Sequence, residues 1–358
     1  MKKIQNNLLN KFKTIISKDN ITIASALKQI TLGGKKCIII VDKKNTILGT
    51  LSDGDIRHAI VKGIKLEESI QNIFQKKPFV VYENNFNPEM IKENFIKYQY
   101  DLIPKVNKKK QLIDILFWED YFVTEKKINY KKLDTQVVIM AGGKGKRLSP
   151  ITDFIPKPLI PLNGIPLIQQ VIESFLKYKI DKFYISLNYK NSLIKAFFND
   201  LNPEYKINYI EENKPLGTIG ALKKIEKKIK KPFILINCDV IVDVDYFELK
   251  KFHKQNKNHI TIVVAAKEYK MPYGNCIVDK NGNIKKIDEK PVFNFLVNSG
   301  VYFINNELIK YIPHNRYFDI DNFINKAIKN KLKIGIYPIS SEKWKDVGKW
   351  SEFIDASV

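Results

Sequence analysis

Residues 137–150 read Val137-Val138-Ile139-Met140-Ala141-Gly142-Gly143-Lys144-Gly145-Lys146-Arg147-Leu148-Ser149-Pro150, a short apolar run that empties into a glycine turn. Five consecutive apolar residues predict a strand buried on both faces. The glycines after it allow main-chain N–H groups to approach phosphate oxygens closely. Spacing excludes two common phosphate cradles. A GxGxxG fingerprint would need glycine where Leu148 stands, and the GxxxxGK[ST] pattern is absent. Downstream come Thr152 and then Pro156-Lys157-Pro158-Leu159. Two cations, Arg147 and Lys157, fixed beside a glycine turn are what a triphosphate cleaved at its α-phosphorus requires.

Outward from this stretch the pattern alternates. Leu167, Ile168, Val171, Ile172, Phe175 and Leu176 form a helical stripe, followed by a strand over 183–187. Further apolar runs at 207–210, 233–236 and 260–266 alternate with helical or loop segments. Strands apolar on both faces predict an α/β, Rossmann-like domain with a mostly parallel sheet covered by helices on both sides.

The first third of the chain contains an internal repeat. Val41-Asp42-Lys43-Lys44-Asn45 and Val106-Asn107-Lys108-Lys109-Lys110 lie one repeat apart, as do Leu48 and Ile113, Leu51 and Leu116, and Asp55 and Asp120. Each copy reads as helix, apolar strand, polar turn, second strand and helix. In the first copy Ile23, Ala26, Leu27 and Ile30 stripe one helix, and Ser52 or Asp53 caps the next. Neither copy has enough apolar face to stand alone, so the two are expected to pack as a pseudo-twofold pair. The division this implies is repeats at about 10–65 and 70–125 within a module 1–125, a linker 126–134, and a second domain 135–358.

Composition narrows the function classes. The 358 residues carry 61 basic against 38 acidic side chains, a net +23, but only Arg57, Arg147 and Arg316 are arginines. The surplus is spread along the chain, and sequence-specific nucleic-acid readers usually exploit the arginine fork, so no nucleic-acid partner is expected. The charge would still attract small polyanions. No apolar run approaches a membrane span. The start, MKKIQNNLLN, lacks the unbroken apolar stretch of a signal peptide. Three cysteines, Cys37, Cys238 and Cys276, form no CxxC pair. A cytoplasmic protein without a membrane partner is the expectation. The four histidines show no zinc-ligand spacing.

From Gly142 to Pro166 the sequence resembles the signature of the sugar-phosphate nucleotidyltransferases, GGxGxRLxPxTxxxPKPLxPxxxxP, and the resemblance runs on over roughly 136–358. It implies a fold that holds a nucleoside triphosphate while a sugar 1-phosphate oxygen attacks the α-phosphate in line and expels pyrophosphate. Gly142, Gly143 and Gly145 would cradle the nucleotide, and Arg147 and Lys157 would neutralise phosphates. Asp239 and Asp346 match the family's Mg²⁺ carboxylates, whereas Asp243 and Asp245 read as a loop and a helix start. Tyr273, Gly274, Glu289, Lys290 and Asn298 match its sugar-phosphate segments. Gly217 and Thr218 belong to a PLGT turn against base and ribose. Glu212 offers a carboxylate that can accept from both N1–H and the 2-amino group of guanine, which favours GTP over pyrimidine nucleotides.

The first third resembles a pair of CBS domains, most clearly in Gly49-Thr50-Leu51-Ser52-Asp53-Gly54-Asp55. The resemblance implies that Ser52 meets a nucleotide phosphate and Asp55 the ribose hydroxyls of an adenine or other purine nucleotide. The second copy has Asp114 and Phe117 where the pattern wants glycine and a hydroxyl residue, so at most one competent site is expected. A purely scaffolding module is the other reading. A CBS pair ahead of such a transferase is similar to the CBS-containing guanylyltransferases that make GDP-glucosamine for legionaminic-acid synthesis. That similarity implies GTP and glucosamine 1-phosphate as substrates, with mannose or another hexose 1-phosphate as the alternative, and a homo-oligomer as the default assembly. A non-catalytic nucleotide sensor on the same fold is the competing class.

Overall fold

The computed structural model describes residues 12–85, 87–98, 100–122 and 132–348. The expected linker falls mostly outside these residues, and so do the first eleven positions. By compactness the chain divides into two units. One comprises residues 128–265, 297–337 and 343–358; the other comprises 1–127, 266–296 and 338–342.

The repeat is explicit in the second of these units. Its first copy runs β1 (Ile16–Ser17), α1 (Ile23–Leu32), β2 (Cys37–Val41), β3 (Ile47–Ser52) and α2 (Asp53–Val61). Its second copy runs β4 (Val81–Tyr82), α3 (Pro88–Tyr98), β5 (Leu102–Val106), β6 (Leu112–Phe117) and α4 (Trp118–Tyr121). Each copy forms a three-stranded sheet, β1-β2-β3 or β4-β5-β6, with a parallel pair followed by an antiparallel one. The α1 stripe is buried at the four predicted positions, Ile23, Ala26, Leu27 and Ile30. The two hairpin turns are built alike: Asp42 Oδ1 accepts from the amides of Lys44 and Thr46, and Asn107 Oδ1 from those of Lys109 and Gln111.

These turns also join the copies. Ile47 N donates to Lys110 O at 3.0 Å, and Leu112 N donates to Asn45 O at 2.9 Å. Exchanging equivalent positions of the two copies converts either bond into the other, which is the mark of a pseudo-twofold. Ile39, Val41, Leu102, Leu112 and Ile115 close a shared apolar core, so each copy buries the face that the other would leave wet.

The first-named unit carries most of a seven-stranded sheet. Its strands are β7 (Gln136–Met140), β10 (Lys182–Leu187), β11 (Lys206–Glu211), β12 (Phe233–Asn237), β14 (Ile260–Lys270), β17 (Val292–Ile304) and β18 (Ile334–Ser340), in the order β11-β10-β7-β12-β17-β14-β18. Short pairs β8 (Pro161–Leu162) with β9 (Ile165–Pro166), and β13 (Val240–Val242) with β19 (Trp344–Asp346), flank it. The helices are α5 (Ile151–Phe154), α6 (Leu167–Leu176), α7 (Asn191–Leu201), α8 (Tyr246–Gln255) and α9 (Ile320–Lys329). β11, β10, β7 and β12 are mutually parallel, but β12 pairs with β17 antiparallel. The sheet is therefore mixed: the parallel block that the apolar runs predict is joined by the antiparallel β17. β17 follows a hairpin, β15 (Asn275–Val278) and β16 (Ile284–Asp288), rather than a crossover helix, so the chain re-enters the sheet in the opposite sense.

Val138, Leu235 and Tyr302 pack in one cluster with Leu222, Phe323 and Ala327, while the alternating Val137, Ile234 and Val301 are buried as well. Both faces are thus covered, as the continuous apolar strands require. Phe175 on α6 stacks on Tyr246 on α8 at a ring-centroid distance of 4.5 Å, and just outside these helices Tyr178 Oη donates to Val244 O. Among the described residues no helix is long and apolar enough to cross a membrane.

Candidate active site

The parallel strands end level with one another. Ala141 N donates to Ser186 O, Glu212 N to Leu187 O and Cys238 N to Met140 O, extending the ladder just past β7, β10, β11 and β12. The segments leaving these four ends surround a cleft of about 650 Å³, at the carboxyl edge where open α/β sheets place their ligands.

Gly142, Gly143, Gly145 and Arg147 form one wall of the cleft. Gly145 is required by two constraints at once. Its φ is +66°, and a Cβ there would lie 2.8 Å from Thr152 Cγ2 and 3.0 Å from Lys157 Cβ. Thr152 Oγ1 donates to Gly145 O, so the turn is tied to the segment that delivers Lys157. Lys157, only 8% exposed, forms an ion pair with Asp239, which follows β12.

Asp346 arrives from the far end of the chain. The antiparallel pairing of β13 with β19 sets Val240 against Asp346, and Val347 N donates to Asp239 O at 3.0 Å. Gly348 N then donates to Asp346 Oδ1. The point that a Cβ of Gly348 would occupy lies 2.7 Å from Asp346 Oδ1, 2.8 Å from Arg147 Nη2 and 3.3 Å from Asp239 Oδ2. Two carboxylates and the guanidinium therefore converge beside the cleft, with the Lys157 ammonium already on one of the carboxylates. Among the described residues no cluster of three or more His, Cys, Asp or Glu could hold a metal. A hard divalent ion that keeps water and phosphate oxygens needs only one or two carboxylates, so this donor pair fits Mg²⁺.

Glu212 is 7% exposed and faces the cleft from the end of β11. Its Oε1 accepts from Ser186 Oγ, and its Oε2 accepts from Leu216 N at 2.9 Å. A carboxylate has about four acceptor positions, so capacity remains for a ligand's donors. Gly217 and Thr218 line the same end of the cleft. Cys238 also lines it, but burial pushes its thiol up to about 12, so it stays protonated and is no nucleophile at neutral pH.

The remaining predicted residues stand elsewhere. Asn298, on β17, directs its amide to Tyr302 Oη and accepts from Gly300 N, and it is not part of the cleft wall. Tyr273, Gly274, Glu289 and Lys290 lie at the base of the β15–β16 hairpin in the other unit. There a Cβ on Gly274 would sit 3.1 Å from Glu289 Oε2, and Tyr273 is 74% exposed. Ser52 and Asp55 form a capping box at the start of α2. Asp245 caps α8, accepting from Phe247 N and Glu248 N.

The structure adds wall residues that motif reading passed over: Asn188, Asn237, Tyr317, Asp319 and Gly348. Asn188 Nδ2 donates to Glu212 O at 2.8 Å. Its place just after a predicted strand end was the one available signal; Tyr317 and Asp319 lie about a hundred residues from the turn they meet and offered none.

Comparison with known proteins gives a consistent picture of similarity. A family model described as Nucleotidyl transferase matches residues 136–358. A mannose-1-phosphate guanyltransferase of Yarrowia lipolytica is 33% identical over 233 residues, covering 62% of this chain and 62% of that protein. A D-glycero-alpha-D-manno-heptose 1-phosphate guanylyltransferase of Campylobacter jejuni is 32% identical over 200 residues, covering 55% of this chain and 88% of that protein. A UTP–glucose-1-phosphate uridylyltransferase of Synechocystis is 27% identical over 242 residues, covering 62% of each. The chain thus spans less than two thirds of the length of the mannose-1-phosphate guanyltransferase it matches.

Proposed function

We propose, since this chain belongs to the nucleotidyl transferase family, that it transfers a guanylyl group from GTP to a sugar 1-phosphate and releases pyrophosphate. The observation that carries this reading is the convergence of Arg147, Lys157 and Asp239 in the wall of one cleft lined by the glycine turn, with Asp346 beside them. The glycine-turn amides would hold the triphosphate, with Arg147 on the departing pyrophosphate and Lys157 near the α-phosphate. The acceptor's phosphate oxygen forms the new bond to the α-phosphorus as the bond to the β-phosphate oxygen breaks, and the electron pair leaves with pyrophosphate. No enzyme nucleophile is needed, in keeping with the neutral Cys238 thiol. Catalysis then consists of alignment and charge neutralisation. Asp239 and Asp346 would hold Mg²⁺, which when bound supplies further neutralisation of the triphosphate.

Guanine is favoured by buried Glu212, whose free acceptor positions match N1–H and the 2-amino group, and by the similarity to two guanylyltransferases. For the acceptor, the resemblance of the repeat and transferase arrangement to the legionaminic-acid enzymes suggests glucosamine 1-phosphate. The names of the relatives favour mannose or another hexose- or heptose-type 1-phosphate instead. Residues 1–125 would be an appended CBS pair binding a purine nucleotide at Ser52 and Asp55, with 135–358 as the transferase. Tyr273, Gly274, Glu289, Lys290 and Asn298 remain its proposed sugar-phosphate contacts. Three unpaired thiols support a cytoplasmic setting. A pyrophosphate-release matrix of GTP, UTP, CTP, dTTP and ATP against glucosamine, mannose, glucose and heptose 1-phosphates, with Mg²⁺, tests the reading. Turnover with GTP and one of these acceptors is expected; silence in every cell of the matrix would leave a nucleotide sensor.

A further inference from the structure

We propose that Asp319 is a positioning residue for the nucleoside half of the donor: its carboxylate clasps the Pro215–Thr218 turn into the shape that frames base and ribose. The inference rests on the guanylyltransferase reading and names a residue that the family signature does not.

The start of α9 is irregular. Asp319 is the N-cap of α9, yet its side chain makes no capping bond to that helix. An N-cap Asp ordinarily accepts from the second or third helical amide. Asp245, at the start of α8, does so twice. Asp319 instead reaches across to the turn: its Oδ1 accepts from Thr218 N at 2.9 Å and from Thr218 Oγ1 at 3.2 Å. Thr218 Oγ1 in return accepts from Ile320 N at 2.8 Å and so caps α9 from outside. The two residues have exchanged the usual capping duty for a bond between segments a hundred residues apart.

Neighbouring contacts make the clasp continuous. Phe318 N donates to Leu216 O, while Ile219 N and Gly220 N both donate to Phe318 O. Gly217 sits at φ +78°, and a Cβ there would lie 2.7 Å from Phe318 O and 2.8 Å from Asp319 Oδ1, so only glycine permits the approach. Leu216 N is bonded to Glu212. The turn is thus pinned at one end by the residue assigned to the base and at the other by Asp319. Tyr317 and Asp319 both line the cleft, and the hydrogen bond to Asp319 and its charge hold the Tyr317 phenol above its ordinary value.

Thr218 also changes meaning. Its hydroxyl donates to Asp319 and accepts from Ile320 N, so its hydrogen is committed to the clasp and is not offered to the ribose. The turn meets the nucleotide through its main chain, whose path Asp319 sets.

The test uses the full chain, with GTP binding followed by calorimetry beside steady-state kinetics. Asp319→Ala is expected to raise Kd and KM for GTP about tenfold, as for loss of a charge-assisted hydrogen bond that orders a loop. Its kcat and the KM for the sugar phosphate should stay within about twofold of the parent. Asp319→Asn keeps an acceptor oxygen for Thr218 and should restore most of the GTP affinity. Thr218→Val attacks the clasp from its other side, and combining it with Asp319→Ala should add little, because one interaction is being removed twice. Asp245→Ala should lower Tm without moving KM for GTP. Unchanged GTP affinity in both Asp319→Ala and Thr218→Val would overturn the proposal. So would a parallel loss of kcat and both KM values, or an equal KM change in Asp245→Ala. If the parent protein binds UTP or ATP rather than GTP, the guanine reading falls while the clasp is measured with that nucleotide. If it binds none, both fall.

Discussion

The carboxylate-rich helix start after β3 and the cleft beyond β12 both place charged side chains at the end of a buried strand, and they differ in what those side chains answer to. At the first, Ser52 Oγ accepts from Asp55 N, Asp55 Oδ2 accepts from Ser52 N, and Asp53 pairs with Arg57 one helical turn away. Every one of these bonds lies within a few residues and is ordinary helix-start chemistry. At the second, Lys157 and Asp239 meet from 82 residues apart, and Asp346 joins them from still farther along the chain. Local propensity cannot produce that meeting, and a buried ion pair returns little net stability after desolvation. Residues explained by their own helix need no further role; residues gathered from three segments around a cleft call for one.

Asp239→Asn should reduce kcat by at least about a thousandfold, because it removes one of two converging carboxylates and unpairs Lys157 beside the phosphates. Tm should fall by only a few degrees, since the pair opens on a solvated cleft rather than a dry core. Pyrophosphate release and a thermal melt on the same preparation check both. Activity within tenfold of the parent would return Asp239 to the class of merely structural carboxylates.

Next in size is Glu212→Gln. Glutamine replaces one acceptor oxygen by a donor; with its carbonyl kept on the Leu216 amide and the Ser186 hydroxyl turned to accept, guanine N1–H is confronted with an NH₂ group. kcat/KM for GTP should drop roughly 10–100-fold, while any activity with UTP stays within a few-fold. An equal fall for both nucleotides would place Glu212 in the scaffold and narrow the distinction between the two regions.

At the helix start the expected change is smaller and of a different kind. Asp55→Ala removes half of the capping box and should lower stability by about 1 kcal/mol, seen as a drop in Tm, with transferase kcat and KM unchanged. The second copy already shows a partial version of this state. Phe117 stands where Ser52 does; Asp120 still accepts from Phe117 N, and the Lys35 ammonium lies 4.7 Å from the Phe117 ring centroid. Added purine nucleotide tells a cap from a ligand site. A rise in parent Tm that Asp55→Ala abolishes would give Asp55 a ligand role beyond the cap, as the CBS resemblance implies, whereas no shift would leave it a cap alone.

These differences track what the sequence could disclose. Features set by near neighbours were legible: the α1 stripe, the Ser52 cap, the paired hairpin turns, and the strand that runs into Gly142. The residues of the cleft were legible only through the length of one motif, because no periodicity brings Asp346 beside Asp239. That meeting is made by the three-residue pairing of β13 with β19. β17 escaped notice for a related reason. Its first half, Val292 to Leu296, is apolar in sequence yet exposed in the fold, and its antiparallel sense is fixed by the preceding hairpin rather than by its own residues. Asp319 reads as a plain helix cap, and only the fold shows that its side chain is engaged elsewhere.

His253 supplies the smallest effect and a third kind of buried group, one whose partners are all neutral. Nδ1 lies 2.8 Å from Thr261 Oγ1, Nε2 lies 3.0 Å from Asn305 Oδ1, and the ring packs on Phe303. Burial lowers its pKa below the ordinary histidine value of about 6.5, outweighing the Asn305 bond and the charge of Glu307, with His259 acting in the same direction as burial. The unfolded chain then binds the proton more readily than the folded one. The stability contributed by neutral His253 is therefore full above about pH 6.5 and is lost as pH falls from there through the folded value. Tm should decline between pH 7 and pH 5, and His253→Gln, compared by slope rather than by absolute Tm, should flatten that part of the decline. An identical slope in the variant would assign the acid sensitivity to the carboxylates instead, and the neutral pocket around His253 would then carry no linkage of its own.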